Sequence, residues 1–96
     1  MSFEIFLSRM ETGEQMHFAT FRTDVPLGIL MRALTELERA GFGLTGVSLV
    51  ARSDEAEVRI DYVAIGTVAP ETWLARLERM PGILCVAGGN SSAEKD

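Results

Sequence analysis

Phe3, Ile5 and Leu7 alternate with Glu4 and Ser8, interrupted only by Phe6, and this period of two predicts a short strand with one buried face. Residues 11–15 carry Thr12-Gly13 among acidic and polar neighbours and read as a turn, after which 16–23 (MHFATFRT) returns to strand-like composition. From Pro26 to Ala40 the period changes. Leu27, Leu30, Met31, Leu34 and Leu37 recur at helical spacing while Arg32, Glu36, Glu38 and Arg39 fill the other side, which predicts an amphipathic helix with Leu34 in the middle of its stripe. Asp24 can accept from the orphan amides at its start, Pro26 suits the first turn, and Gly41 can take the left-handed conformation that ends it.

Two further strands follow over 43–52 (GLTGVSLVAR) and 57–65 (EVRIDYVAI), joined by the polar connection Ser53-Asp54-Glu55-Ala56. Val58, Ile60, Tyr62 and Ala64 share one face of the second of these, opposite Glu57, Arg59 and Asp61, as expected of a sheet covered on one side only. Pro70 opens a second helix carrying Trp73, Leu74, Leu77 and Met80, and Pro81-Gly82 stops it. Residues 83–87 (ILCVA) make a last short strand, while Gly88-Gly89 and the polar end read as a loose tail.

From residue 16 onward the order is strand, helix, strand, strand, helix, strand. This is the α+β, ferredoxin-like βαββαβ sandwich, a four-stranded antiparallel sheet with two helices on one face, plus an additional N-terminal strand. Residues 1–89 read as a single domain, with 1–15 as a strand-and-turn extension and 90–96 as a flexible polar tail. The first core strand of such a sheet is central, so the extension cannot pair beside it; it extends a sheet edge, crosses to a partner, or belongs to a bent first strand.

Composition narrows the function classes. Ninety-six residues, 47% of them hydrophobic, suit one core. No run reaches the roughly 18 apolar residues of a spanning helix, nor is there a basic stretch followed by an apolar block at the N-terminus, so a cytoplasmic location is the expectation. The net charge of −5, with Lys95 the sole lysine and the arginines scattered, offers no basic face for nucleic acid or an anionic membrane. With Cys85 alone, neither a disulfide nor a thiolate metal cluster is expected, and no cofactor is implied.

The residues with chemical potential are dispersed, and no catalytic set or metal site is assigned. His17 is the sole imidazole and reads as a strand-surface or interface residue, whereas Cys85 lies in an apolar strand where a small core residue is the ordinary role. Alternation sends Tyr62 inward and Asp61 outward, and Arg59 with Glu57 reads as part of a solvated cross-strand charge set. Trp73 falls on an apolar stripe and reads as packing. The remaining candidate is Asp24, Val25, Pro26, Leu27, Gly28 and Ile29: a helix start presents free amides and partial positive charge, able to hold a small carboxylate, and Gly28 would admit it to the backbone. Against this stands a simpler role, in which Asp24 caps the helix and Gly28 permits close helix–sheet packing.

Thr23-Asp24-Val25-Pro26-Leu27-Gly28-Ile29-Leu30 with the helix after it, then Ala40-Gly41-Phe42-Gly43-Leu44 and the acidic hairpin, resemble an ACT domain, a family that regulates amino-acid metabolism and shares this strand order. Met80-Pro81-Gly82-Ile83-Leu84-Cys85-Val86 is similar to that family's closing strand, and the resemblance spans residues 16–89. The family's aspartate-x-proline-glycine turn appears here with Leu27 between Pro26 and Gly28. The resemblance implies a small-molecule-sensing regulatory domain that binds an amino acid or related carboxylate at 24–29 and works as a homo-oligomer or with an enzyme partner. Two other readings stay open: a ligand-free subunit-interaction domain, and a small dimeric ferredoxin-like enzyme using His17, Tyr62 or Arg22.

Overall fold

The computed structural model describes residues 2–6, 16–65 and 69–90, the first stretch as backbone only. The turn expected over 11–15 and the polar end after Asn90 lie outside the described residues. The elements are β1 (Ser2–Phe6), β2 (Met16–Thr23), α1 (Pro26–Arg39), β3 (Phe42–Arg52), β4 (Glu55–Ala64), α2 (Pro70–Glu78) and β5 (Leu84–Asn90). The sheet order is β1-β3-β4-β2-β5, with every neighbouring pair antiparallel. Strands β2 to β5 with the two helices are therefore the ferredoxin-like α+β core. Because β2 already has β4 and β5 on its two sides, the N-terminal strand extends the far edge instead, pairing with β3 from Ser2↔Val50 to Phe6↔Gly46.

Strand β4 shows why one face is dry. Ala56, Val58, Ile60 and Tyr62 are buried, and cross-strand pairing brings Ala19, Phe21 and Thr23 of β2 and Val47 of β3 onto the same side. The helices cover this face with Ile29, Leu30, Ala33 and Leu37 of α1 and Trp73 and Leu77 of α2. Trp73 is wholly buried; its ring meets Tyr62 edge-on at 4.9 Å, and its indole N–H donates to the Ala33 carbonyl at 3.4 Å.

The α1 stripe differs from the expected one. Leu27 is 75% and Met31 67% exposed, Leu34 is half-buried at the margin, and Ile29 and Ala33 take their place in the core. At about 100° per residue the buried arc centres on Leu30, Ala33 and Leu37 and leans toward α2, because Trp73 sits against the small Ala33 turn. The helix start also differs: Val25 occupies the N-cap position without a side-chain cap, the Thr23 hydroxyl accepts from the Val25 amide at 3.0 Å, and Asp24 is exposed.

The β3–β4 connection is tighter than expected, Arg52 pairing with Glu55 across Ser53-Asp54, with Ser53 at φ 50°. Strand β5 is longer, since Gly88 and Gly89 pair with Ala19 and Phe18 rather than starting a tail. A Cβ at Gly88 would lie 2.8 Å from both Leu74 Cδ2 and the Phe18 carbonyl oxygen, so glycine is what lets α2 settle on this edge. The register shifts between Thr20↔Ala87 and Arg22↔Leu84, so Cys85 and Val86 oppose Phe21 alone. Cys85, at φ 55°, is turned out into solvent at this bulge and is not the core residue its neighbours suggested.

Leu37→Ala is expected to cost about 2–5 kcal/mol, whereas Leu27→Ala should stay within about 0.5 kcal/mol of the parent. Urea denaturation of the two variants checks this; equal losses would mean that the helix face is misplaced.

Candidate functional site

The segment from Asp24 to Ile29 divides between surface and core. Asp24, Val25, Leu27 and Gly28 are exposed, Pro26 is half-buried as the first helical residue, and Ile29 is buried with its amide donating to the Val25 carbonyl at 3.1 Å. Pro26 has no N–H, so the amides of Leu27 and Gly28 form the open end of α1, with no acidic residue in the first turn to answer them. A Cβ at Gly28 would meet nothing within 4 Å. Close packing of helix on sheet therefore does not account for this glycine, which lies in a helical turn where it is less favourable than alanine.

Beside this helix start lies an apolar groove of about 550 Å³ between α1 and the β3–β4 hairpin. Pro26, Leu27, Leu30, Leu49 and Ala51 form its walls, and Asp54 and Glu55 stand at the hairpin end. The arrangement sets the free amides of the helix start near an apolar trough with the Asp54 carboxylate at its end, three features that a small zwitterion with an apolar substituent could use together.

His17 is half-buried on the helix-covered side, stacked on Tyr62 with ring centroids 5.5 Å apart. The strand pattern held the signal for this, since His17 alternates in step with Ala19 and Phe21; register was needed to show Tyr62 opposite. Burial, with Glu71 adding to it, pushes the Tyr62 hydroxyl up to about 12. Arg22 lies on the other face of the sheet, so it forms no common site with His17 and Tyr62.

The helix-free face carries paired charges. Arg59 bonds Asp61 at 3.0 Å and stacks over the Phe18 ring at 4.7 Å, and Arg52 meets Glu57 at 2.9 Å. Arg22 donates to the Cys85 sulfur at 3.0 Å and lies 3.8 Å from Glu55. The hydrogen bond to Cys85, with the charge of Glu55 adding to it, raises the Arg22 guanidinium further. These pairs are largely solvated, which limits their worth to stability.

Gly28→Ala should stabilise the ligand-free chain by about 0.5–1 kcal/mol, measured by urea denaturation, because nothing resists the added methyl; a loss would show that the glycine serves folding. Tyr62 generates an alkaline prediction. Its folded value is raised from the ordinary 10.0 to about 12, so the associated stability is complete below pH 10 and is lost as pH climbs toward 12. Relative to Tyr62→Phe, the parent should lose up to roughly 3 kcal/mol across that window; parallel pH profiles for the two proteins would contradict it.

No protein-family model matches the chain, and no curated protein does. Among solved structures it is similar to the C-terminal domain of the MgtC protein from Mycobacterium tuberculosis, at 15% identity and a TM-score of 0.71 over 84% of this chain and 92% of that one. It is also similar to the ACT domain from GTP pyrophosphokinase of Chlorobium tepidum, at 10% identity and a TM-score of 0.64 over 79% of this chain and 99% of that one. At such identities the likeness is one of fold: the chain has the ferredoxin-like α+β architecture of an ACT domain, with β1 added at the sheet edge.

Proposed function

We propose that this chain is a small-molecule-sensing regulatory domain that holds the carboxylate of an apolar amino acid, or of a related metabolite, at the start of α1. The observation that carries this is Gly28, a helical glycine with open space where its side chain would be, in a first turn whose Leu27 and Gly28 amides are free and whose Pro26 and Leu27 line an apolar groove. In this reading the carboxylate takes the Leu27 and Gly28 amides, the apolar substituent lies along Leu30, Leu49 and Ala51, and the ammonium faces Asp54, Glu55 being turned to Arg22 on the other face. The shared fold with an ACT domain borne by an enzyme chain is in keeping with a regulatory role; a cytoplasmic location and no catalysis of its own complete the reading.

Self-association belongs to the same proposal. The N-terminal strand finds a place at the β3 edge and so supplies no argument for a partner, but β5 remains an edge strand with Leu84 51% exposed. A second reading, a ligand-free subunit-interaction domain, draws on the exposed Val25, Leu27 and Met31, which a partner chain could cover.

Calorimetric titration with leucine tests the site. The parent should bind, Gly28→Val should lose about tenfold or more through obstruction of the amides, and Cys85→Ala and His17→Ala should bind as the parent does. Undiminished affinity in Gly28→Val together with loss in His17→Ala would move the site to the other end of the sheet. Absence of binding by any amino acid, with a dimer in sedimentation that Leu27→Asp disrupts, would favour the interaction domain.

A further inference from the structure

A second cleft, of about 520 Å³, opens between the start of α2 and the ends of β2, β4 and β5, where His17, Tyr62, Pro70, Glu71, Leu74 and Asn90 face one another. It shares no lining residue with the groove beside α1. Tyr62 forms its inner wall. The ring is held by Trp73, Phe42 and His17, yet its hydroxyl is buried without a hydrogen-bond partner among the described residues. A phenylalanine would fill the same volume without an orphaned polar atom, so folding alone gives no reason for the oxygen.

The sign of charge at the cleft follows from its lining. Among the described residues Glu71 is the charged residue there and no lysine or arginine lines the cleft, and the whole chain carries −5. Glu71 in the first turn of α2 already answers the partial positive charge of that helix start. The half-buried His17 ring, stacked on Tyr62, adds the negative potential of its face toward a cation. An anion would meet Glu71, whereas an ammonium would pair with it.

We propose that this cleft binds a small organic cation bearing a hydrogen-bonding group, its ammonium against the Glu71 carboxylate and the His17 ring and its polar atom completing the hydrogen bond of the Tyr62 hydroxyl. This site is separate from the carboxylate site at α1 and stands or falls independently of it, since the two differ in position and in the charge they select.

Three probes of matched size separate the chemistry: ethanolamine, ethylene glycol and glycolate, titrated into the full chain while the His17, Tyr62 and Glu71 resonances are followed by NMR. Ethanolamine should give saturable shifts at all three residues, with ethylene glycol and glycolate binding about tenfold more weakly or worse, and Glu71→Gln should lose about tenfold for ethanolamine. Tyr62→Phe should weaken ethanolamine several-fold while its urea midpoint stays the same or rises, which separates a binding role for the hydroxyl from a structural one. Glycolate matching ethanolamine, indifference to Glu71→Gln, a lowered midpoint in Tyr62→Phe, or no saturable shift at tens of millimolar would each overturn the proposal.

Discussion

The fold turns on the seat of one indole. Trp73 lies at the junction of both helices and the sheet, bonded to the Ala33 carbonyl and set edge-on against Tyr62 and Phe42. A ring of this size reaches the sheet only if α1 presents a small residue beside it, and Ala33, wholly buried, is that residue. The rotation of α1 follows: with Ala33 and Ile29 turned toward α2, Leu27 and Met31 are carried out of the core to solvent. The apolar groove beside the helix start is thus a consequence of how the core packs around the indole, since Leu27 becomes its rim.

The pattern of apolar positions carried most of the fold. Period-two alternation in 57–65 put Val58, Ile60 and Tyr62 inward, and they are buried; Pro26, Gly41 and Pro70 mark helix limits, with Gly41 at φ 88°, whereas α2 ends at Glu78, short of Met80 and of the Pro81-Gly82 stop expected for it. What was not legible depended on neighbours distant in sequence. The α1 face departs from its stripe of large side chains because Ala33, small in itself, takes its importance from Trp73. Cys85 was misplaced because a bulge depends on the register between two strands, and Gly88 and Gly89 because a glycine required under Leu74 looks in sequence like a loose end.

The proposed site is legible to a different degree. A helix start with Pro26 and Gly28 is visible in the residues, but the reason to single it out comes from space: Gly28 has no neighbour to accommodate. The groove wall of Leu49 and Ala51 comes from β3 and could not be assigned to the helix without the fold. The meeting of His17 with Tyr62 and Glu71 likewise needed the register of β2 on β4 and the placement of α2. Both clefts lie at helix starts, yet the first lacks an acidic residue in its opening turn and the second contains Glu71, which is why the two proposals assign opposite charges to the same backbone feature.

The central claim is that the first turn of α1 is left bare for a carboxylate rather than for folding. A backbone amide titration of the full chain with leucine, followed residue by residue by NMR, addresses it most directly. The account predicts the largest saturable changes at the Leu27 and Gly28 amides, with smaller ones at Leu49 and Ala51 across the groove. Changes centred on Glu71 and Asn90, or none that saturate at any residue, would contradict it.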